Sequence, residues 1–254
     1  MGLKKQLQKI FLWPLLPKER VNFYQEKIRR AEWEAVKPFI PENSWFLDVG
    51  CGAGHNLWLA KEELKCRVHG LDPDPGAHGV GRYSYRAADS LPVEKGVSEK
   101  LPYPDQSFDI VFSSHVLEHV NDVEQSLSEM SRVLKNNGRL IIGMPTATMG
   151  WIGLVTQLLL TTHIRWYEFF RAPRLQKIKF LFLPASHSAA GKTVLHDLVH
   201  YRVKCWSQPI GAAFVITRTL RPALYPYPDF RQLFRLRISK KLGSSVFFVC
   251  SKKQ

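Results

Sequence analysis

Leu47-Asp48-Val49-Gly50-Cys51-Gly52-Ala53-Gly54 is the stretch that decides the fold. The short apolar run from Trp45 to Val49 reads as a buried strand. Three glycines at alternate positions follow it, and Asn56 to Leu64 then has helical spacing. Glycine lets the backbone turn sharply and approach a ligand with no Cβ in the way. A second strand, Cys66 to Leu71, ends at Asp72, 22 residues after Gly50. A carboxylate at that point suits a ribose diol, whose hydroxyls it can accept as two hydrogen bonds. Strand, glycine triplet, helix and acid together predict a nucleoside-type ligand at the carboxyl end of a parallel sheet.

The spacing is not that of a dinucleotide site. The G-x-G-x-x-G pattern would place its third glycine at His55, and here it comes one residue early, at Gly54. Asp48 stands just before the turn, where it suits an ammonium group better than a pyrophosphate. Gly191-Lys192-Thr193 ends like a phosphate-binding loop, but no strand precedes it, and it reads as a helix entry.

Outward from this stretch, strand and helix alternate. Val93 to Val97 is a weak strand, and Phe108 to Ser113 a clear one. Asn121 or Asp122 caps a helix with Val123, Leu127, Met130, Val133 and Leu134 on one face. Asn137-Gly138 is expected to end it, and Leu140 to Met144 forms the next strand, closed by Pro145. Such alternation argues for a parallel sheet covered by helices on both faces. After Pro145 it breaks. Residues 146–192 mix an apolar strip with basic and aromatic residues, a helix is expected from Thr193 to Trp206, and Ala213 to Leu220 and Ser245 to Cys250 read as two last strands. Four segments follow: 1–37 basic and amphipathic, 38–145 the ligand-binding core, 146–212 an insertion, and 213–254 the strands that complete the sheet.

Further motifs carry a resemblance. The chain resembles the class I S-adenosylmethionine-dependent methyltransferases through its D-x-G-x-G-x-G loop, Leu101-Pro102-Tyr103-Pro104-Asp105-Gln106-Ser107-Phe108-Asp109-Ile110-Val111, Val116-Leu117-Glu118-His119-Val120, and Arg132-Val133-Leu134-Lys135 before Gly138. The likeness covers about residues 45 to 145. It implies an α/β fold: a doubly wound, mostly parallel, Rossmann-like seven-stranded sheet, its last strand antiparallel, with a helical or irregular cap after strand five. It also implies S-adenosylmethionine as cofactor. Asp48 would lie near the amino group, Gly50, Cys51, Gly52 and Gly54 along the methionine and ribose, and Asp72 with Pro73 at the ribose hydroxyls. The family often has an Asp-Ala pair where this chain has Val97-Ser98. The adenine would then lose a side-chain acceptor while the Ser98 N–H still reaches a ring nitrogen. Ser114 and His115 would edge the transfer site.

Methyl transfer from a sulfonium needs alignment more than acid–base help, but a hydroxyl acceptor would call for a base. His115, or His196 from the later helix, is the candidate. His119 and Glu118 read as structural residues on a helix. His196 and His200 are four apart with Asp197 between, yet no third ligand is evident, so no metal is expected. Cys51, Cys66, Cys205 and Cys250 form no CxxC pair, which argues against a zinc site or disulfide framework.

Charge addresses the acceptor. The chain has 254 residues and a formal net charge of +14. Residues 1–145 carry 19 basic and 19 acidic residues; residues 146–254 carry 17 basic residues against Glu168, Asp197 and Asp229 alone. An anionic partner explains this asymmetry better than solubility does. Position 113–116 reads Ser-Ser-His-Val where amino-directed nucleic-acid methyltransferases carry a Pro-Pro tetrapeptide, and the chain has no Pro-Cys nucleophile. Both argue against nucleic acid, which stays the alternative. A small-molecule, lipid-linked or glycan acceptor bearing phosphate is favoured. A catalytically degenerate partner subunit is the other rival, supported by Val97 and opposed by the intact glycine loop.

The N-terminus sets Leu3, Leu7, Ile10 and Phe11 beside Lys4, Lys5 and Lys9, as either an interfacial amphipathic helix or one packed on the domain. Met149 to Thr162 is apolar but shorter than the ~20 residues of a membrane span. Trp151, Trp166, Tyr167, Phe169 and Phe170 can line an acceptor pocket, pack a core or meet a membrane. No signal peptide is read at the N-terminus. The expectation is a cytoplasmic protein touching the inner face of an anionic membrane.

Overall fold

The computed structural model describes residues 18–79, 90–160, 186, 193–222 and 243–253. The N-terminal basic stretch, Trp166, Tyr167, Phe169, Phe170 and the basic run from Arg165 to Lys179 lie outside the described residues.

In chain order the elements are α1 (Lys18–Val36), β1 (Trp45–Val49), α2 (His55–Leu64), β2 (Arg67–Asp72), β3 (Val93–Lys95), β4 (Phe108–Ser114), α3 (Val123–Val133) and β5 (Leu134–Pro145). They continue with α4 (Ala147–Leu160), α5 (Val194–His200), α6 (Val203–Ala213), β6 (Phe214–Leu220) and β7 (Ser245–Lys252). The seven strands form one sheet in the order β3-β2-β1-β4-β5-β7-β6. β1 to β5 are parallel; β7 inserts antiparallel between β5 and β6. This is the sheet expected above, antiparallel last strand included.

Strand alternation splits the core between two faces. Leu47, Val49, Val111, Leu140, Val246 and Phe248 pack with Leu127 and Met130 of α3 and Ile210 of α6. Phe46, Ile110, Phe112, Ile141, Phe247 and Val249 pack with Trp33 and Val36 of α1 and Leu57 and Ala60 of α2. Across that second face the rings of Phe46, Phe112 and Phe247 stack at 5.8 and 6.2 Å. With β1 and β4 covered on both sides, their carboxyl ends are the natural place for a ligand.

Four local expectations are corrected. First, α3 runs straight into β5 at Leu134, and Gly138 lies inside the strand instead of capping a helix. A Cβ at Gly138 would stand 2.9 Å from the Asp109 carbonyl oxygen, beside the register shift between Phe108 and Ile110, so this glycine serves close strand approach. Second, the helix expected over Thr193 to Trp206 is two helices, broken at the fully buried Tyr201. Third, β3 stops at Lys95, where Gly96 donates its N–H to the Asp72 carbonyl. Fourth, Glu118 and His119 stand in a turn between β4 and α3, not on a helix. The N-cap of α3 is Asp122, whose carboxylate accepts the Gln125 N–H at 2.9 Å.

Within 146–212, α6 is a layer of the sheet beside α3. Trp206 Nε1 anchors it to the Pro145 carbonyl at 2.9 Å. α4 and α5 pack on each other, the Ala147 N–H bonded to the Tyr201 carbonyl at 2.9 Å. Among the described residues no helix is long and apolar enough to cross a membrane.

Candidate functional site

The turn after β1 is built from three left-handed residues. Gly50, Gly52 and Gly54 have φ of 76°, 53° and 81°, a region costly for side chains with a Cβ. Space matters as much as torsion. A Cβ at Gly50 would stand 2.2 Å from Val116 Cγ2, and one at Gly52 would stand 2.6 Å from the His78 carbonyl oxygen. The glycine turn is thus clasped between the loop after β4 and the loop after β2. Leu71 holds it from β2, accepting the N–H groups of Gly50 and Cys51 at 2.7 and 3.2 Å.

Asp72 ties the two loops together. Its buried carboxylate accepts the Gly52 N–H at 2.7 Å on one oxygen and the Asp74 N–H at 2.9 Å on the other. Each oxygen keeps a second lone pair for a ligand hydroxyl. Pro73 follows in an exposed position. Cys51 is buried against Gly70, and burial with the nearby Asp48 and Asp72 pushes its thiol well up, so it is no nucleophile.

Asp48 is the chemically unusual group. It is buried at the end of β1, and its Oδ2 has no hydrogen-bond partner in the protein. Desolvation first, and the Asp72 charge second, push its carboxyl up to about 8, while a hydrogen bond from Asn56 holds it back. An orphaned buried carboxylate oxygen beside a glycine cradle is a place for a cationic donor. The other predicted cofactor residues flank this point. Gly96 joins Asp72 and leads into Val97, half exposed at 50%, and Ser98, whose buried hydroxyl lies 2.9 Å from that of Ser126. Ser114 ends β4, two residues before the Val116 that covers Gly50.

His115 has an arrangement that sequence reasoning missed. It adopts φ 58° and is held by its N–H on the Gly143 carbonyl at 2.8 Å. Its ring stands between two carboxylates, with Nε2 3.6 Å from Glu32 Oε1 and Nδ1 3.5 Å from Glu118 Oε1. Arg29 meets the far oxygen of Glu32 at 2.6 Å. Burial and Arg29 oppose protonation of His115, but the two carboxylates outweigh them and raise its pKa. Glu32 is held down to about 2 despite its burial, by Arg29 and His115. Glu118 is likewise lowered against its burial by His115. The geometry favours a held imidazolium over a free base. No local signal marks Glu32 in the sequence: it stands on α1, and His115 follows β4 more than eighty positions away.

His196 has a separate setting. It lies on α5, 3.6 Å from Asp197 Oδ1 and stacked at 3.9 Å on the ring of His200. Asp197 is buried and accepts the Ser186 hydroxyl. Trp151, offered as a pocket residue, is more than half exposed on α4. The two remaining motifs are one structural unit. The Arg132 guanidinium donates to the Leu101 and Tyr103 carbonyls at 2.9 and 2.8 Å, to Asp105 at 2.8 Å and to Glu129 at 2.7 Å, so the proline-rich turn is clamped onto α3.

Residues 47–142 match the family model of the methyltransferase domain. A "probable methyltransferase" of Aspergillus luteorubrus is 36% identical over 132 residues, 45% of each chain. The ajmaline N-methyltransferase of Rauvolfia serpentina is 34% identical over 125 residues, 48% of this chain and 42% of that enzyme. The chain therefore spans less than half the length of these curated relatives. Among solved structures, an S-adenosylmethionine-dependent methyltransferase from Thermotoga maritima, described as a possible histamine N-methyltransferase, superposes with a TM-score of 0.55 at 21% identity over 98% of both chains. Geranyl diphosphate C-methyltransferase from Streptomyces coelicolor, solved with S-adenosyl-L-homocysteine, gives 0.51 at 15% identity over 89% of this chain and 76% of that one. Both are likenesses of fold.

Proposed function

We propose that this chain, which through residues 47–142 belongs to the class I S-adenosylmethionine-dependent methyltransferase family, transfers the methyl group of S-adenosylmethionine to an amphiphilic, phosphate-bearing acceptor at an anionic membrane surface. The observation that carries the cofactor reading is the unpartnered, buried Asp48 Oδ2 beside a cradle that a Cβ at Gly50 or Gly52 would fill.

The residues fit the group. Asp48 offers its free oxygen to the amino group, Asp72 offers its remaining lone pairs to the ribose hydroxyls, and Gly50, Cys51, Gly52 and Gly54 give the backbone close approach. Val97 and Ser98, with Pro73, are assigned to the adenosine side. When bound, the cofactor supplies an activated methyl on sulfur, open to in-line attack. The chain contributes alignment and exclusion of water. Ser114 and His115 border the acceptor side. With Glu32 and Glu118 around it, His115 is assigned to hold the loop after β4 in its left-handed turn, and the acceptor's proton leaves to solvent. His196 has no assigned step.

Two features support the acceptor class: the positive charge of residues 146–254 and the family match that ends at 142, before that charge begins. Calorimetry with S-adenosylmethionine and S-adenosylhomocysteine tests the cofactor. A radiolabelled transfer assay over lipid, glycan and RNA extracts tests the acceptor. Label in the phosphate-bearing lipid fraction is expected; label in RNA or soluble amines alone would overturn the acceptor class.

A further inference from the structure

The structure assigns the membrane contact to one face of the α4/α5 helix pair, an apolar strip made by Trp151, Val155, Leu195 and Val199 that docks on the surface of a bilayer containing anionic lipid. The assignment rests on the membrane-surface reading above and is independent of which acceptor is methylated.

The register of the pair shows why these four residues form one strip. Ala147 bonds to Tyr201, and Gly150 lies against Leu198, where a Cβ on the glycine would stand 2.9 Å from Leu198 Cδ2. Rising numbers on α4 meet falling numbers on α5, so the helices are antiparallel. A helix turns about 100° per residue. From the facing position Gly150, Trp151 and Val155 rotate to one side of the contact. On the antiparallel partner the sense of rotation is reversed, and from Leu198 the residues Val199 and Leu195 rotate to the same side. Along the pair the order is Val199, Trp151, Leu195, Val155, alternating between helices.

Exposure agrees with this geometry. Trp151, Val155, Leu195 and Val199 are 56%, 49%, 48% and 50% exposed, whereas Leu154 and Val194, on the inward sides of the same helices, are buried. Among the described residues six large apolar side chains are at least 48% exposed, and four of them lie in this one strip. Such a concentration marks an interaction face.

Charge selects the occupant. The sequence joining α4 to α5, residues 161–193, carries six basic residues and a single acidic one, Glu168. An apolar strip in a part of the chain whose sequence is strongly basic matches an anionic bilayer, where burial and charge attraction add. α4 is 14 residues long, about 21 Å, too short to span and suited to lying on the surface. A tryptophan in such a strip is at home in the headgroup region.

The test uses the full chain and a Val155→Asp, Val199→Asp double variant in co-sedimentation with phosphatidylcholine vesicles, with and without phosphatidylglycerol. Calorimetry with S-adenosylhomocysteine checks both proteins, so a failed cofactor reading shows there and not in the pellet. The wild-type chain should pellet with phosphatidylglycerol vesicles only, and the variant's partition coefficient should fall about tenfold or more from the lost apolar burial. Equal pelleting of wild type and variant would overturn this face while leaving membrane contact standing. No pelleting of the wild type at low salt would overturn both, and so would a wild-type dimer, broken by the variant, that ignores lipid. Should the variant not fold, Trp151 is read in the intact fold: bromine-labelled anionic lipid should quench wild-type fluorescence more than that of Trp151→Phe, and equal quenching would refute the assignment.

Discussion

If Asp48 meets the cofactor's amino group, as proposed, cofactor affinity depends on pH in one direction. Without ligand its carboxyl is pushed up to about 8 from an ordinary 3.8, by burial and by Asp72. An ammonium group docked on the unpartnered Oδ2 would restore the ionised form. The complex then holds fewer protons than the free protein, so affinity rises with pH below about 8 and levels off above it. A single proton released gives about tenfold per pH unit, so Kd should weaken by up to about a hundredfold from pH 8 to pH 6. Asp48→Asn removes the titrating group and an acceptor of a charged hydrogen bond worth about 1.5–3 kcal/mol. At pH 8 the variant should bind some tenfold to a hundredfold more weakly, by about that energy. At pH 6 the two proteins should converge, because the wild type has largely lost its charge. Calorimetry with S-adenosylmethionine at pH 6, 7 and 8, in buffers of different ionisation enthalpy, measures both the affinity and the proton count. A wild-type affinity flat across that range, or a slope that survives in Asp48→Asn, would refute the reasoning.

The same group predicts a stability effect of opposite sense. Its raised pKa in the folded state means that the ligand-free protein gains stability from Asp48 at low pH and loses it as pH rises from about 4 toward 8, so Asp48→Asn should raise the ligand-free Tm at pH 8 and do little at pH 4. Gly52→Ala puts a Cβ 2.6 Å from the His78 carbonyl at φ 53°; a loss of about 1–3 kcal/mol in urea unfolding is expected, with cofactor binding abolished, and wild-type behaviour would show that the turn is slack. Glu32→Gln removes one of the two carboxylates around His115; NMR titration should show the imidazole pKa fall, and an unchanged value would dissolve the proposed cluster. Val97→Asp returns the side-chain acceptor expected for adenine at a half-exposed position; affinity should improve about three- to tenfold by one net hydrogen bond, and no gain would place the adenine elsewhere.

What the sequence made readable follows from where a local rule had no competitor. Gly50, Gly52 and Gly54 all occupy left-handed torsions, and at Gly50 and Gly52 a Cβ would also meet Val116 and the His78 backbone. Their pattern therefore stands out without a structure. Asp72 is readable for the same reason: strand β2 ends there, and its carboxylate must bridge to the glycine turn. The start of β5 was not readable. Lys135-Asn136-Asn137-Gly138 has the composition of a turn, and only the bulge opposite Asp109 shows that the glycine is needed for strand contact. The break at Tyr201 is set by burial of that ring, a tertiary event without a proline or glycine to announce it.

The Glu32–His115–Glu118 cluster marks the physical limit more sharply. His115 at φ 58° is a torsion in which a non-glycine residue is uncommon, and nothing in its neighbours' identities forecasts it. Glu32 comes from α1, more than eighty positions away, and meets His115 only because α1 lies over the face of the sheet that holds Phe112. Buried charge is costly when it is unpaired, so each member of the cluster is retained by the others: Arg29 and His115 keep Glu32 ionised, and Glu32 and Glu118 raise the pKa of His115. Such mutual dependence has no local signature in any one segment. The segment after β5 is hard to read for a related reason. Its apolar strip takes alternate residues from two helices separated by more than thirty residues of sequence, so neither helix alone shows the face that the pair presents.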